Sequence, residues 1–346
     1  MKKISLISIV VFLTFSVSAQ QKQDYSQTLR KEFNLTAQSS VSITNQFGLV
    51  KIENWDKPVV SIEVIITASS EDKKKADRIL ESIKVSMQEK GSEVVLRTTI
   101  GNMPERKKKE HFSVDYHVKL PANTPMSISN EFGTVAADKR LGDFSLDISY
   151  GSYALMGLEG TRNKLDISFS KGNVTEIKDA EVSLSYSTLN ADKAGSIHLK
   201  SEFSHLHVKT LTDAKIESSY DEINIENSGK LNMKGEFSTF RLGQVEESLT
   251  GKFSYGSVSV KSLSERFQLL DVNLSFSSLS IDKTKQSSFR KVEVKTTNGS
   301  FRYPGRWSLM TDKPDYTTRV YTGSDGQAKG QLLKISADYS SVKIMD

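Results

Sequence analysis

The chain has no cysteine among its 346 residues. Disulfides, thiolate nucleophiles and sulfur-ligated metals are thereby excluded, so packing and backbone ladders must hold the fold. Histidine is scarce, at five residues. No Walker-type loop occurs, because Gly151, Gly157 and Gly160 are not followed by a Lys-Ser/Thr pair. No dinucleotide fingerprint is present, and no Ser-His-Asp arrangement can be assembled. Beyond the first residues there is no apolar run long enough to span a bilayer.

The one apolar run stands at the start. Lys2 and Lys3 precede an apolar stretch from Ile4 to Val17, and Val17-Ser18-Ala19 is a small-residue cleavage pattern. Residues 1–19 read as a signal peptide that exports the chain to the periplasm or cell surface. With no cysteine after this stretch, lipid attachment at a processed terminus is excluded, and no membrane span is expected in the mature chain. The formal net charge is +5. Its basic runs, Lys73-Lys74-Lys75 and Arg106-Lys107-Lys108-Lys109, are not interleaved with aromatics. They read as solvated loops, and together with export they argue against nucleic acid as a partner.

What fills the chain is a repeat. Phe132, Tyr150, Phe169, Tyr186, Phe203, Tyr220, Phe237, Tyr255 and Phe276 follow one another at intervals of 17 to 21 residues. Four before the aromatic the residue is apolar, as at Ile128, Leu165, Leu199 and Ile216. Three and five after it the residues are again apolar, as at Leu189 and Ala191 or Ile223 and Ile225. Polar residues alternate between them, which marks strands with one buried face. The two apolar sets differ in parity, so the chain must turn or bulge between them. The small residue just after the aromatic (Gly133, Gly151, Ser170, Ser187, Ser204, Asp221) is the expected corner.

Two short strands meeting at a corner every ~17 residues make one coil of a right-handed parallel β-solenoid. Nine coils at the inter-strand spacing give a rod of about 43 Å. The aromatics are expected to stack as a column that fills the core. Phe and Tyr alternate along it, which leaves a double coil of ~35 residues open beside the single one. Val294, Asn298, Gly299 and Phe301 repeat the pattern with Asn in the aromatic place, and Ile335, Tyr339, Ser340 and Val342 repeat it in full. Between them residues 304–331 read as a long loop or lid over the last coil. Residues 20–120 read as a β-rich cap, carrying one copy of the motif at Ile43, Phe47, Gly48, Val50 and Ile52. Its single helix is expected from Glu71 to about Met87 with Ser70 as N-cap. The solenoid proper is placed at 121–346.

Candidate chemistry is sparse. His205 and His207 share a strand face and Glu222 stacks beside His205, a weak metal-site pattern. Asp147 and Asp166 share an outward column, a pair that could hold Ca²⁺ or act on a polysaccharide. Glu202 and Glu236 share a column two coils apart. Ordinary solvated faces account for all of these, and no catalytic or cofactor-binding residue is assigned.

Asn45-Gln46-Phe47-Gly48, Lys51-Ile52-Glu53-Asn54-Trp55, Val114 to Pro121 and the repeated Phe/Tyr-Gly/Ser coils resemble the bacterial "putative adhesin" family of unknown function. The resemblance implies an exported β-solenoid of the cell envelope and brings no catalytic residues. The expected role is binding of an envelope protein or a glycan, without catalysis. A periplasmic structural or signalling accessory is the alternative, and a polysaccharide lyase or hydrolase the second. Coil lengths are nearly constant, which favours a surface over a cleft.

Overall fold

The computed structural model describes residues 23–103, 111–282, 289–325 and 331–345. The expected export segment and the basic run at 106–109 lie outside them. The described chain is almost wholly β, with one helix, and its strands join into a single hydrogen-bonded sheet wound into a solenoid.

In the middle of the solenoid each coil is one long bent strand. Lys171–Ser185, Thr188–Glu202, His205–Ser219, Glu222–Glu236 and Thr239–Ser254 run from just after one aromatic to just before the next. Neighbours pair in parallel, with Lys171 opposite Thr188 and Ser185 opposite Glu202. One aromatic therefore corresponds to one coil, and the Phe/Tyr alternation does not mark a double one. The irregular interval between Phe237 and Tyr255 comes from a register shift at Ser228/Lys230, where one extra residue is absorbed.

Inside, the apolar columns stack as the alternation requires. Leu199 lies over Val182, Leu206 over Leu189 and Val208 over Ala191, all buried. Exceptions compensate one another. Gly172 stands opposite Tyr153, and a Cβ there would lie 2.5 Å from the Tyr153 ring. Gly235 likewise leaves room for Phe240 and Phe253, whose rings meet edge to face at 5.2 Å.

The aromatic column does not fill this core. Every ring from Phe132 to Phe276 is exposed, between 40 and 54%. The sharp turn also sits one residue earlier than the parity argument places it. The aromatic itself is left-handed, and the small residue after it points inward. A left-handed residue reverses the alternation just as a bulge does, so parity alone does not separate the two.

Both ends are closed by antiparallel strands. Ser40–Gln46 and Leu49–Asn54 form the first coil, turning at Phe47, and stack on Met126–Glu131 and Thr134–Ala137. Beyond them lie Glu93–Ile100 and His111–Leu120, then Ile83–Lys90, Val59–Ser70 and Gln23–Asn34 in antiparallel pairing. The helix is shorter than expected, Lys73–Ser82, and Asp72 rather than Ser70 caps it by accepting the Lys74 N–H. After Ser82 the chain is the strand Ile83–Lys90, paired with Glu93–Ile100, and this pairing overrides the apolar spacing that had extended the helix to Met87.

At the other end chain order and spatial order part. Gln331–Asp338 and Ser341–Ile344 slot between the coil of Leu269–Ser275 and that of Phe289–Thr297. The segment read as a loop at 304–331 holds a hairpin, Ser308–Asp312 with Thr318–Ser324. Its second strand pairs antiparallel with Phe289–Thr297 and covers the open edge of the outermost coil.

Candidate functional site: an external aromatic ridge

Eleven rings stack along one edge of the solenoid: Phe47, the nine from Phe132 to Phe276, and Tyr339. Consecutive centroids are 4.8 to 5.1 Å apart, with interplanar angles of 1 to 17°. Ten steps of the inter-strand spacing give a ridge of about 48 Å.

The backbone that carries each ring is unusual. All eleven have φ between 45 and 59°, and Asn298 continues the series at 51°. A left-handed L-residue costs roughly 1–2 kcal/mol. Asparagine tolerates the region, as at Asn298; phenylalanine and tyrosine do so poorly. Stacking recovers about 0.5–1.5 kcal/mol per pair beyond area burial. Rings one coil apart therefore offset the strain of the turns that hold them.

The inward residue completes the corner. Ser170 N–H donates to Ser187 Oγ at 3.1 Å, and Ser187 N–H to Ser204 Oγ at 2.9 Å. Each hydroxyl in turn donates to the carbonyl two residues back, as Ser187 Oγ does to Ser185 O at 2.7 Å. A serine ladder thus supplies the acceptors that the interrupted sheet ladder lacks. Asp221 interrupts it. Its carboxylate accepts Ser204 N–H at 2.7 Å and Ser218 Oγ at 2.7 Å, while burial pushes its pKa above the ordinary aspartate value.

Because every ring between the two ends is stacked on both sides, the ridge presents ring edges and alternate tyrosine hydroxyls, not ring faces. Sugars stack on faces, so an intact ladder gives them no platform. An open groove beside the ridge is lined by Phe132, Tyr150, Phe169 and Tyr186 with Thr134 and Lys171.

The residues singled out from sequence lie on the two flanks of the ridge, not among its rings. His205 Nε2 lies 3.5 Å from Glu222 Oε2, as stacking predicts. His207 turns instead to Glu226, at 3.0 Å. Glu222 is also engaged by Asn224 and Arg241, which together with His205 hold its carboxyl below the ordinary range against the opposing effect of burial. Among the described residues no three His, Cys, Asp or Glu side chains converge. Asp147 and Asp166 are opposite one another, and Lys164 pairs with Asp166 at 2.7 Å. Glu202 and Glu236 flank the ridge two coils apart, with Ser219 between them.

One buried cation went unnoticed in the sequence. Arg140 is 1% exposed and donates to Asn54 Oδ1, Pro121 O and Thr124 O, tying the first coils to the preceding loop. Burial lowers its pKa to about 10. It sits in an inward column opposite Leu158, where the pattern calls for an apolar residue, and only that mismatch could have flagged it.

No family model matches the chain, and no curated protein matches its sequence. Solved structures do. A "putative cell adhesion protein" from Clostridium sporogenes aligns over 93% of this chain and 99% of its own, at 10% identity and a TM-score of 0.22. A "putative adhesin" from Parabacteroides distasonis covers 74% of this chain and 97% of its own, at 10% identity and a TM-score of 0.38. A "putative lipid binding protein" from the same organism covers 92% and 97%, at 10% identity and a TM-score of 0.29. Proteins of the class that the sequence resembles thus recur among the structural neighbours. Likeness at this level has no bearing on function.

Proposed function

We propose that the chain is an exported binding protein of the cell envelope or surface, adhesin-like, which acts through its external aromatic ridge and not by catalysis. The observation that carries this reading is eleven left-handed aromatic corners, ten of whose rings are exposed. A corner alone needs only Gly or Asn, and stacking explains why the rings align but not why they lie in water. At roughly half of 150–250 Å² per ring, the ridge exposes about 1,000 Å² of aromatic surface. The largest apolar patch on an ordinary monomer is about 300–600 Å². The amino-terminal export pattern supplies the location, and the near-constant coils supply a long flat contact in place of a cleft.

The test is retention of the labelled protein on native envelopes. Tyr186→Asn/Tyr220→Asn keeps residues that tolerate the left-handed corner while removing two rings, and should lower retention about tenfold. Lys209→Gln, away from the ridge, should leave it unchanged. Equal retention of all three proteins would sink the reading. Release of reducing ends from envelope polysaccharide would favour the hydrolase instead.

A further inference from the structure

One row of outward side chains beside the ridge is segregated by charge. Three residues before each ring stand Asp147 and Asp166 on early coils, and Lys200, Lys234 and Lys252 on later ones, with Glu217 interrupting. Phe203 is the midpoint of the ladder, with five rings to either side.

We propose that the partner engaged by the ridge is a second copy of this chain, lying antiparallel about a twofold axis that crosses the ridge at Phe203. The inference rests on the ridge being the contact surface. A twofold axis perpendicular to the rods reverses coil order and keeps each flank against its own kind. The rung of Tyr150 then meets that of Tyr255, and the rung of Phe169 meets that of Phe237. In this register, the one that overlaps all eleven rings, Asp147 of one copy faces Lys252 of the other and Asp166 faces Lys234. On the axis Lys200 meets its own copy, and Glu202 of the same coil supplies the opposite charge. A parallel arrangement sets this row against the flank that holds His205 and Glu222, where Asp166 meets Lys171 but Glu217 meets Glu222 and the later lysines meet no acid.

Two further quantities agree. About 1,000 Å² of exposed ring surface exceeds the ~800 Å² per partner of a standard stable interface. A partner with the same ~4.8 Å rise stays in phase with the rungs along the whole ridge, which no polymer of different repeat does. A glycan, by contrast, would need the ring faces that stacking covers.

Sedimentation equilibrium from about 1 to 200 µM should show a monomer–dimer equilibrium in that range. Asp147→Lys/Asp166→Lys and Lys234→Asp/Lys252→Asp should each weaken it about tenfold, and the four substitutions together should restore it. The chain has no cysteine, so single cysteines report the register through a short bis-maleimide. Glu202→Cys should cross-link to itself, whereas Glu131→Cys and Ser275→Cys should link only when mixed. A single-chain mass throughout, a four-fold variant no tighter than either double variant, or Glu131→Cys linking to itself would overturn the proposal. Envelopes from cells lacking this chain separate it from the broader reading. Ridge-dependent retention on them removes the second copy as partner and leaves the ridge as contact surface, while ridge-independent retention removes both.

Discussion

Replacing Tyr186 by Asn isolates the energetics of the ridge, because Asn is the residue the chain itself places at the ringless corner, Asn298. Tyr186 stacks on Phe169 at 5.0 Å and on Phe203 at 4.9 Å. Losing both contacts removes about 2 kcal/mol at the middle of the range for aromatic pairs. The covered half of the ring, roughly 100 Å², contributes about 2.5 kcal/mol at 25 cal/mol per Å². Relief of the left-handed strain returns about 1 kcal/mol. The net expectation is a loss of about 3.5 kcal/mol by the same terms. Far-UV circular dichroism in a urea titration measures it, with Phe203→Tyr as a control expected to change stability by less than about 0.5 kcal/mol. Stacking with near-neighbour coupling also predicts that the lesion splits the transition, since each coil contacts only its neighbours. A loss below about 0.5 kcal/mol would refute the claim that stacking holds the strained corners in place.

Three other outcomes follow from particular residues. Arg140→Leu leaves Thr124 O and Asn54 Oδ1 without their donor and Pro121 O with only the Thr124 N–H; urea titration should record a loss of about 3 kcal/mol. Gly133→Ala places a Cβ 2.0 Å from Gly48 O of the adjoining coil; the backbone must shift, at about 1–3 kcal/mol, read as a lower melting temperature. Asp221 has its pKa raised by burial, so its contribution to stability is greatest in acid and is lost as pH rises through the folded-state value. Asp221→Ser restores the serine ladder and removes that dependence. Its urea midpoint relative to the parent should therefore increase from roughly pH 4 upward and then level off, and a pH-independent difference would contradict the assignment.

The sequence was legible wherever a local rule recurs. Alternation around Leu199, Leu206 and Val208 specifies strands with one buried face, and the ~17-residue interval specifies coils that stack with side chain over side chain. The same logic placed His205 beside Glu222. It could not place the metal-site alternative beyond that pair, because His207 reaches diagonally to Glu226 on the next coil, two residues past its register partner Asn224.

By itself, then, the order of residues determined the period, the vertical file of rings and the small residue behind each one. Tertiary structure decided which side of the wall the rings occupy, since the sign of one backbone angle reverses parity no differently from a bulge. It also decided the final winding, where Gln331–Asp338 inserts beneath a coil formed earlier in the chain. Coils of one repeat have nearly interchangeable edges, and which edge is filled last depends on the hairpin that closes the outermost one.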